Sequence, residues 1–121
     1  MIRRPWLVAL VGAVAVVGSA TAAVRVKGVM RDWKSDLNIA DDMASGRAKF
    51  DPAEMKRILD GYSATASDIA GNLKAGDYRA RFEKFAGVAA KASGGALTKE
   101  GVKGALADLR GQCRSCHDSL N

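Results

Sequence analysis

Val102, Leu106, Leu109, Cys113, Cys116 and Leu120 follow one another at steps of four, three, four, three and four. Residues so spaced share one side only in an α-helix, which completes a turn every 3.6 residues. The C-terminal segment is therefore expected to be a helix with one apolar stripe, and two cysteines lie on that stripe. Thr98 is placed to cap it, with Leu97 and Val102 spaced for a hydrophobic staple across the cap.

Three earlier segments carry the same signature. Val26, Met30, Trp33, Leu37, Ala40 and Ala44 form a first stripe, which Gly46 ends. Asp51-Pro52-Ala53-Glu54 then supplies an N-cap, a proline at the first helical position and a glutamate spaced for a capping box. The stripe that follows is Met55, Ile58, Leu59, Tyr62, Ala66, Ile69 and Leu73, with Gly76 as its expected stop. Asp77 can cap a third helix, whose stripe is Tyr78, Phe82, Phe85, Ala89 and Ala92, and Gly94-Gly95 breaks it. Few stretches alternate at period two. Four amphipathic helices with short connections predict an all-α fold, an antiparallel up-down-up-down four-helix bundle.

Residues 1–23 read differently. Arg3 and Arg4 precede an apolar run over residues 6–17, and small residues end in Ala20-Thr21-Ala22. This is the plan of a secretory signal peptide; an uncleaved N-terminal membrane anchor is the alternative, because roughly 20 apolar residues can span a bilayer. Either reading exports the domain over residues 24–121, to the periplasm or to its membrane face. Without the two leader arginines, 17 Lys and Arg stand against 13 Asp and Glu, a net charge of +4. The bases are interspersed with acids and form no long block, which argues against nucleic acid as a partner.

The chain has two cysteines and one histidine, and all three fall within Cys113-Arg114-Ser115-Cys116-His117. This is the C-x-x-C-H pattern of covalent haem attachment. Two thiols can reach the two vinyl groups on one edge of a porphyrin, and a histidine beside the second thiol can turn its imidazole to the iron. A structural zinc site wants four Cys or His ligands, and the chain has three. A redox C-x-x-C pair normally sits beside a strand-helix-strand unit, for which there is no pattern here. The expectation is one covalent haem c, tethered by Cys113 and Cys116 with His117 as proximal ligand, on the C-terminal helix.

A single histidine excludes bis-histidine ligation within the chain. A sixth ligand would have to be methionine, lysine or water, or the position stays open. Among Met30, Met43 and Met55, Met30 lies cleanly on the first stripe, at the end that an up-down bundle sets beside His117. It is the candidate distal ligand, with core packing as its ordinary alternative.

A haem motif at the C-terminus of a four-helix bundle resembles the cytochrome c-prime family, the class II cytochromes c. The resemblance extends in element order over residues 24–121. Its most specific segment is Gln112-Cys113-Arg114-Ser115-Cys116-His117-Asp118, and Val29-Met30-Arg31-Asp32 is similar to the first-helix segment that supplies the distal residue. The resemblance implies one of two kinds of work. Low-spin, methionine-ligated members carry electrons; five-coordinate members bind nitric oxide or carbon monoxide. Three departures stand out. Val26 occupies the place of a usual arginine, the connection between the second and third helices is only about Lys74 to Asp77, and Leu120-Asn121 replaces the usual aromatic and basic residues. The short connection implies an exposed haem edge, which suits electron transfer better than a sealed gas pocket.

The expected function is single-electron transfer, not enzymatic catalysis, with a redox partner protein, either soluble or membrane-bound. Arg110 and Arg114 would flank the haem edge, where they either steer an acidic partner or stand as two solvated helix residues. Asp41 and Asp42 read as a solvated face near a helix end. Gas binding is the alternative function, and association into a homodimer stays open.

Overall fold

The computed structural model describes residues 27–120. The leader expected at residues 1–23 and the stripe residue Val26 lie outside these. Residues cluster into two units, Met1–Asp32 and Trp33–Asn121. Of the first, the described part is the opening of helix α1, over residues 27–32. The second holds the rest of α1 to residue 45, then α2 (Pro52–Gly71), α3 (Asp77–Ser93) and α4 (Lys99–Leu120). No strand occurs among the described residues. The fold is an all-α four-helix bundle.

Contacts within the second unit give the helix directions. Trp33 and Asp36 of α1 meet Tyr62 and Arg57 of α2, so one numbering falls as the other rises. Lys56 and Asp60 of α2 both reach Ser93 at the end of α3. Arg81, near the start of α3, donates to Ser115 near the end of α4 at 3.2 Å. Asp41 of α1 pairs with Arg110 of α4, and Ala44 lies beside Leu106. Each neighbouring pair is antiparallel.

The core is the set of stripes. Trp33, Met55, Ile58, Leu59, Tyr62, Ala66, Ile69, Phe85, Ala89, Val102, Leu106 and Leu109 are all buried. Trp33 stacks on Phe85 with centroids 4.6 Å apart, and Tyr62 meets both rings edge-on at 5.4 and 5.5 Å. Such pairs add to the area that they bury.

Local sequence explains most boundaries and corrects some expectations. Asp51 caps α2 as anticipated, accepting from the Ala53 and Glu54 amides at 3.0 and 3.4 Å. Glu54 does not complete a capping box; its carboxylate takes Arg57, and the Asp51 amide donates to Met43 Sδ at 3.4 Å. Helix α2 stops at Gly71, short of the expected Gly76, because Asn72 turns its Nδ2 onto the Asp68 carbonyl at 2.8 Å. Leu73 is therefore outside the helix and half-buried. Gly76 takes the N-cap position of α3 in place of Asp77, whose carboxylate pairs with Arg81. Tyr78, expected in the core, is 44% exposed. Helical side chains lean toward the N-terminus, so from the first turn of α3 this ring leans past the end of its neighbours. Gly46, which ends α1, has a φ of 86°, a conformation glycine adopts without penalty.

Candidate haem-attachment site

The three residues of interest occupy the last two turns of α4. Thr98 starts this helix as expected, its Oγ1 accepting from the Gly101 amide at 3.0 Å. Val102, Leu106 and Leu109 then run along the core with no more than 2% of their surface exposed. Cys113 and Cys116 continue the stripe but are only half-buried, and both thiols are free. His117, one turn beyond Cys113, is exposed.

Burial pushes the Cys113 thiol above its ordinary pKa, the charge of nearby Cys116 adds to this, and a backbone hydrogen bond opposes it. At neutral pH Cys113 is held as the neutral thiol. Beneath it lies Tyr62, whose phenol is 2% exposed and donates to the Trp33 carbonyl at 2.8 Å. Burial raises the Tyr62 pKa well above 10, with smaller contributions from Asp36 and Cys113 that outweigh Arg57. Arg81 approaches from α3, held by Asp77 at 2.8 Å while its Nη1 reaches Ser115 between the cysteines. Gln112 donates to Asp108 at 3.1 Å, but its Oε1 is buried with no hydrogen-bond partner.

These residues fit a covalently held haem on chemical grounds. Addition of two thiols to the vinyl groups of one porphyrin needs both to be unpaired, reachable from outside and close together, and residues three apart on a helix share a face. Cys113 and Cys116 meet each condition. The imidazole next to the second thiol is exposed and makes no hydrogen bond among the described residues. Among the described residues, no group of three or more His, Cys, Asp and Glu is arranged to hold a metal ion directly.

The methionines separate into different environments. Met43 is 3% exposed, with its sulfur occupied by the Asp51 amide, and Met55 is fully buried in the core. Met30 lies on the first described turn of α1, within the unit Met1–Asp32, and is half-buried.

Two expectations about charge are corrected. Asp41 is not part of a solvated face, being half-buried and paired with Arg110, whereas Asp42 keeps half of its side chain in solvent and accepts from the exposed Arg47 at 2.9 Å. Arg110 is correspondingly a link between α1 and α4, not a free cation. Arg114 is exposed. Arg81 escapes a reading by spacing, because its charge removes it from the apolar stripe and its only local signal, Asp77 four residues earlier, predicts a pair within α3.

No helix among the described residues is long and apolar enough to cross a membrane. Comparisons of the chain with protein families, with curated proteins and with solved structures return no match.

Proposed function

We propose that this chain is an exported c-type cytochrome of the class II kind, carrying single electrons through one covalent haem. The observation that carries the reading is the pair of free, half-buried thiols on one face of α4, with the chain's single histidine exposed beside the second. The haem, when bound, supplies an iron that shuttles between ferrous and ferric states. The chain's part is to hold and tune it. Cys113 and Cys116 are the tethers. His117 would be the proximal ligand; its imidazole is exposed and makes no hydrogen bond among the described residues. Tyr62 and Leu109 give the thiols a dry floor. Arg81 pins the Ser115 turn to α3, so the two thiols and the imidazole keep their spacing. Met30 is the proposed distal ligand, which would favour low spin and raise the potential.

The test is expression of the full chain with a c-type haem maturation system, followed by denaturing electrophoresis and haem staining. Covalent haem is expected in the parent and absent from Cys113→Ala/Cys116→Ala. A parent that emerges without haem, or haem that survives the double substitution, ends the proposal. Met30→Ala should then turn a low-spin spectrum high-spin. A parent that is already five-coordinate and takes up carbon monoxide would move the assignment to gas binding.

A further inference from the structure

The charges of α4 are sorted by side. Its four basic residues, Lys99, Lys103, Arg110 and Arg114, lie at steps of four, seven and four. At about 100° per residue these fall within a sector of roughly 60°. The acids of the helix, Glu100, Asp108 and Asp118, all fall outside that sector. His117 returns to the same direction as Lys99, since eighteen residues make about five whole turns. The basic stripe therefore runs roughly 22 Å along the helix and ends at the His117 turn.

This stripe flanks the core on the side of α1. There α1 and α4 border an open cavity of about 290 Å³ whose walls include Arg47, Lys103 and Arg110, over a floor with Ala44 and Leu106. Asp41 and Asp42 neutralise Arg110 and Arg47. Lys99, Lys103 and Arg114 are exposed and make no ion pair among the described residues. The seam thus presents three uncompensated positive charges: Lys103 in the wall of the apolar-floored groove, and Lys99 and Arg114 one turn further along α4 at either end. Within α4 the two signs are separated and not interleaved.

We infer that the seam of α4 along α1 is a docking surface for an acidic protein face, that of the partner which exchanges electrons at the His117 end. The position of the redox centre rests on the function proposed above; the docking surface itself does not. Complementary charge raises encounter rates and fixes orientation more than it adds affinity, so binding should be fast and salt-sensitive. Its anchors are Lys99, Lys103 and Arg114.

The test uses the full-length chain and a poly-L-glutamate probe, with binding followed by fluorescence anisotropy at low and at physiological salt. Lys99→Glu/Lys103→Glu/Arg114→Glu should weaken binding about tenfold or more, and raised salt should remove most of the difference. The control Lys74→Glu/Lys84→Glu/Lys91→Glu makes the same change in net charge off the stripe and should alter binding less than about twofold. Circular dichroism confirms that each variant keeps its helices. Equal losses in the two variants would mean that net charge alone matters, and would overturn the proposal. So would binding to phosphatidylglycerol vesicles that is tighter than to poly-glutamate and depends on the same three residues, since the seam would then face a lipid surface. In the haem-loaded chain, the stripe variant should react more slowly with anionic ferricyanide and faster with cationic hexaammineruthenium. A chain without haem would remove the redox function while leaving the poly-glutamate result to decide the docking surface.

Discussion

Tyr62→Phe isolates one hydrogen bond in the core and one proton in the stability of the fold. Tyr62 is 2% exposed, and its ring is held edge-on by Trp33 and Phe85. Phenylalanine keeps those ring contacts and loses only the hydroxyl, which donates to the Trp33 carbonyl at 2.8 Å. That carbonyl lies inside α1, so the loss should stay near the average for a buried bond, about 1 kcal/mol. For a domain of this size, the melting temperature should fall by about 4–8 °C. The pH dependence supplies a second reading. Burial holds the phenol's folded pKa above its ordinary 10.0. Above pH 10 the unfolded chain releases this proton while the folded chain retains it, so stability present below 10 is lost as pH rises. One pH unit past 10 costs the parent about 1.4 kcal/mol that the variant does not lose. The variant should therefore be less stable at pH 7 and equal or superior near pH 11. Urea unfolding followed by helical circular dichroism at both pH values measures this. A variant as stable as the parent at pH 7, or a gap unchanged at pH 11, would refute the assigned burial and bonding of Tyr62.

Leu109→Ala removes a fully buried side chain from the stripe just before Cys113 and should cost about 2–5 kcal/mol in the same unfolding assay. Gly101→Ala would drive a new Cβ into the Ala96 carbonyl oxygen, with Ala96 Cβ at 3.0 Å, and should destabilise by about 1–3 kcal/mol despite alanine's better helix propensity. Gly111→Ala meets nothing within 4 Å on the same helix and should stabilise by up to about 1 kcal/mol; thermal melts of the two variants should move in opposite directions. Asp41→Asn leaves Arg110 without its charge partner, so poly-glutamate binding at low salt should strengthen while the midpoint of unfolding falls slightly.

The parts of this fold that could be read from sequence are those that depend on spacing. A step of three or four fixes which side of a helix a residue occupies, so Val102, Leu106 and Leu109, and Ile58, Leu59 and Tyr62, are buried where the pattern puts them. Thr98 and Asp51 cap as their chemistry dictates. What spacing does not carry is axial position along the bundle and the choice among competing polar partners. Tyr78 has the right phase and is exposed because it falls on the first turn. Glu54 has the right spacing for a box, yet the bidentate pair with Arg57 is the stronger option for a carboxylate. Asp41 and Arg110 are 69 positions apart, and no local rule joins them.

Axial position also explains why the thiols differ from the leucines before them. Cys113 and Cys116 have the helical phase of Val102, Leu106 and Leu109, so phase alone would bury all five equally. Helix α4 has 22 residues against 17 for its neighbour α3, and the Arg81–Ser115 bond sets the start of α3 level with the cysteines. Beyond Ser115 only the first turn of α3 remains, residues 77–80, and its apolar residues Tyr78 and Ala80 are exposed, so the stripe emerges from the core within one turn. Burial falls accordingly from fully buried Leu109 to half-buried Cys113 and Cys116 and then to exposed His117. A prosthetic group attached by two thiols needs this gradient, because a sealed thiol cannot be reached and a fully exposed one leaves the group in water. Lengthening α3 at its start should therefore bury the thiols. Insertion of one further turn, Ala-Ala-Lys-Ala, between Gly76 and Asp77 should slow alkylation of Cys113 and Cys116 by iodoacetamide and reduce covalent haem loading in parallel. Alkylation rates unchanged in a variant with intact helicity would show that the end of α3 does not set thiol access.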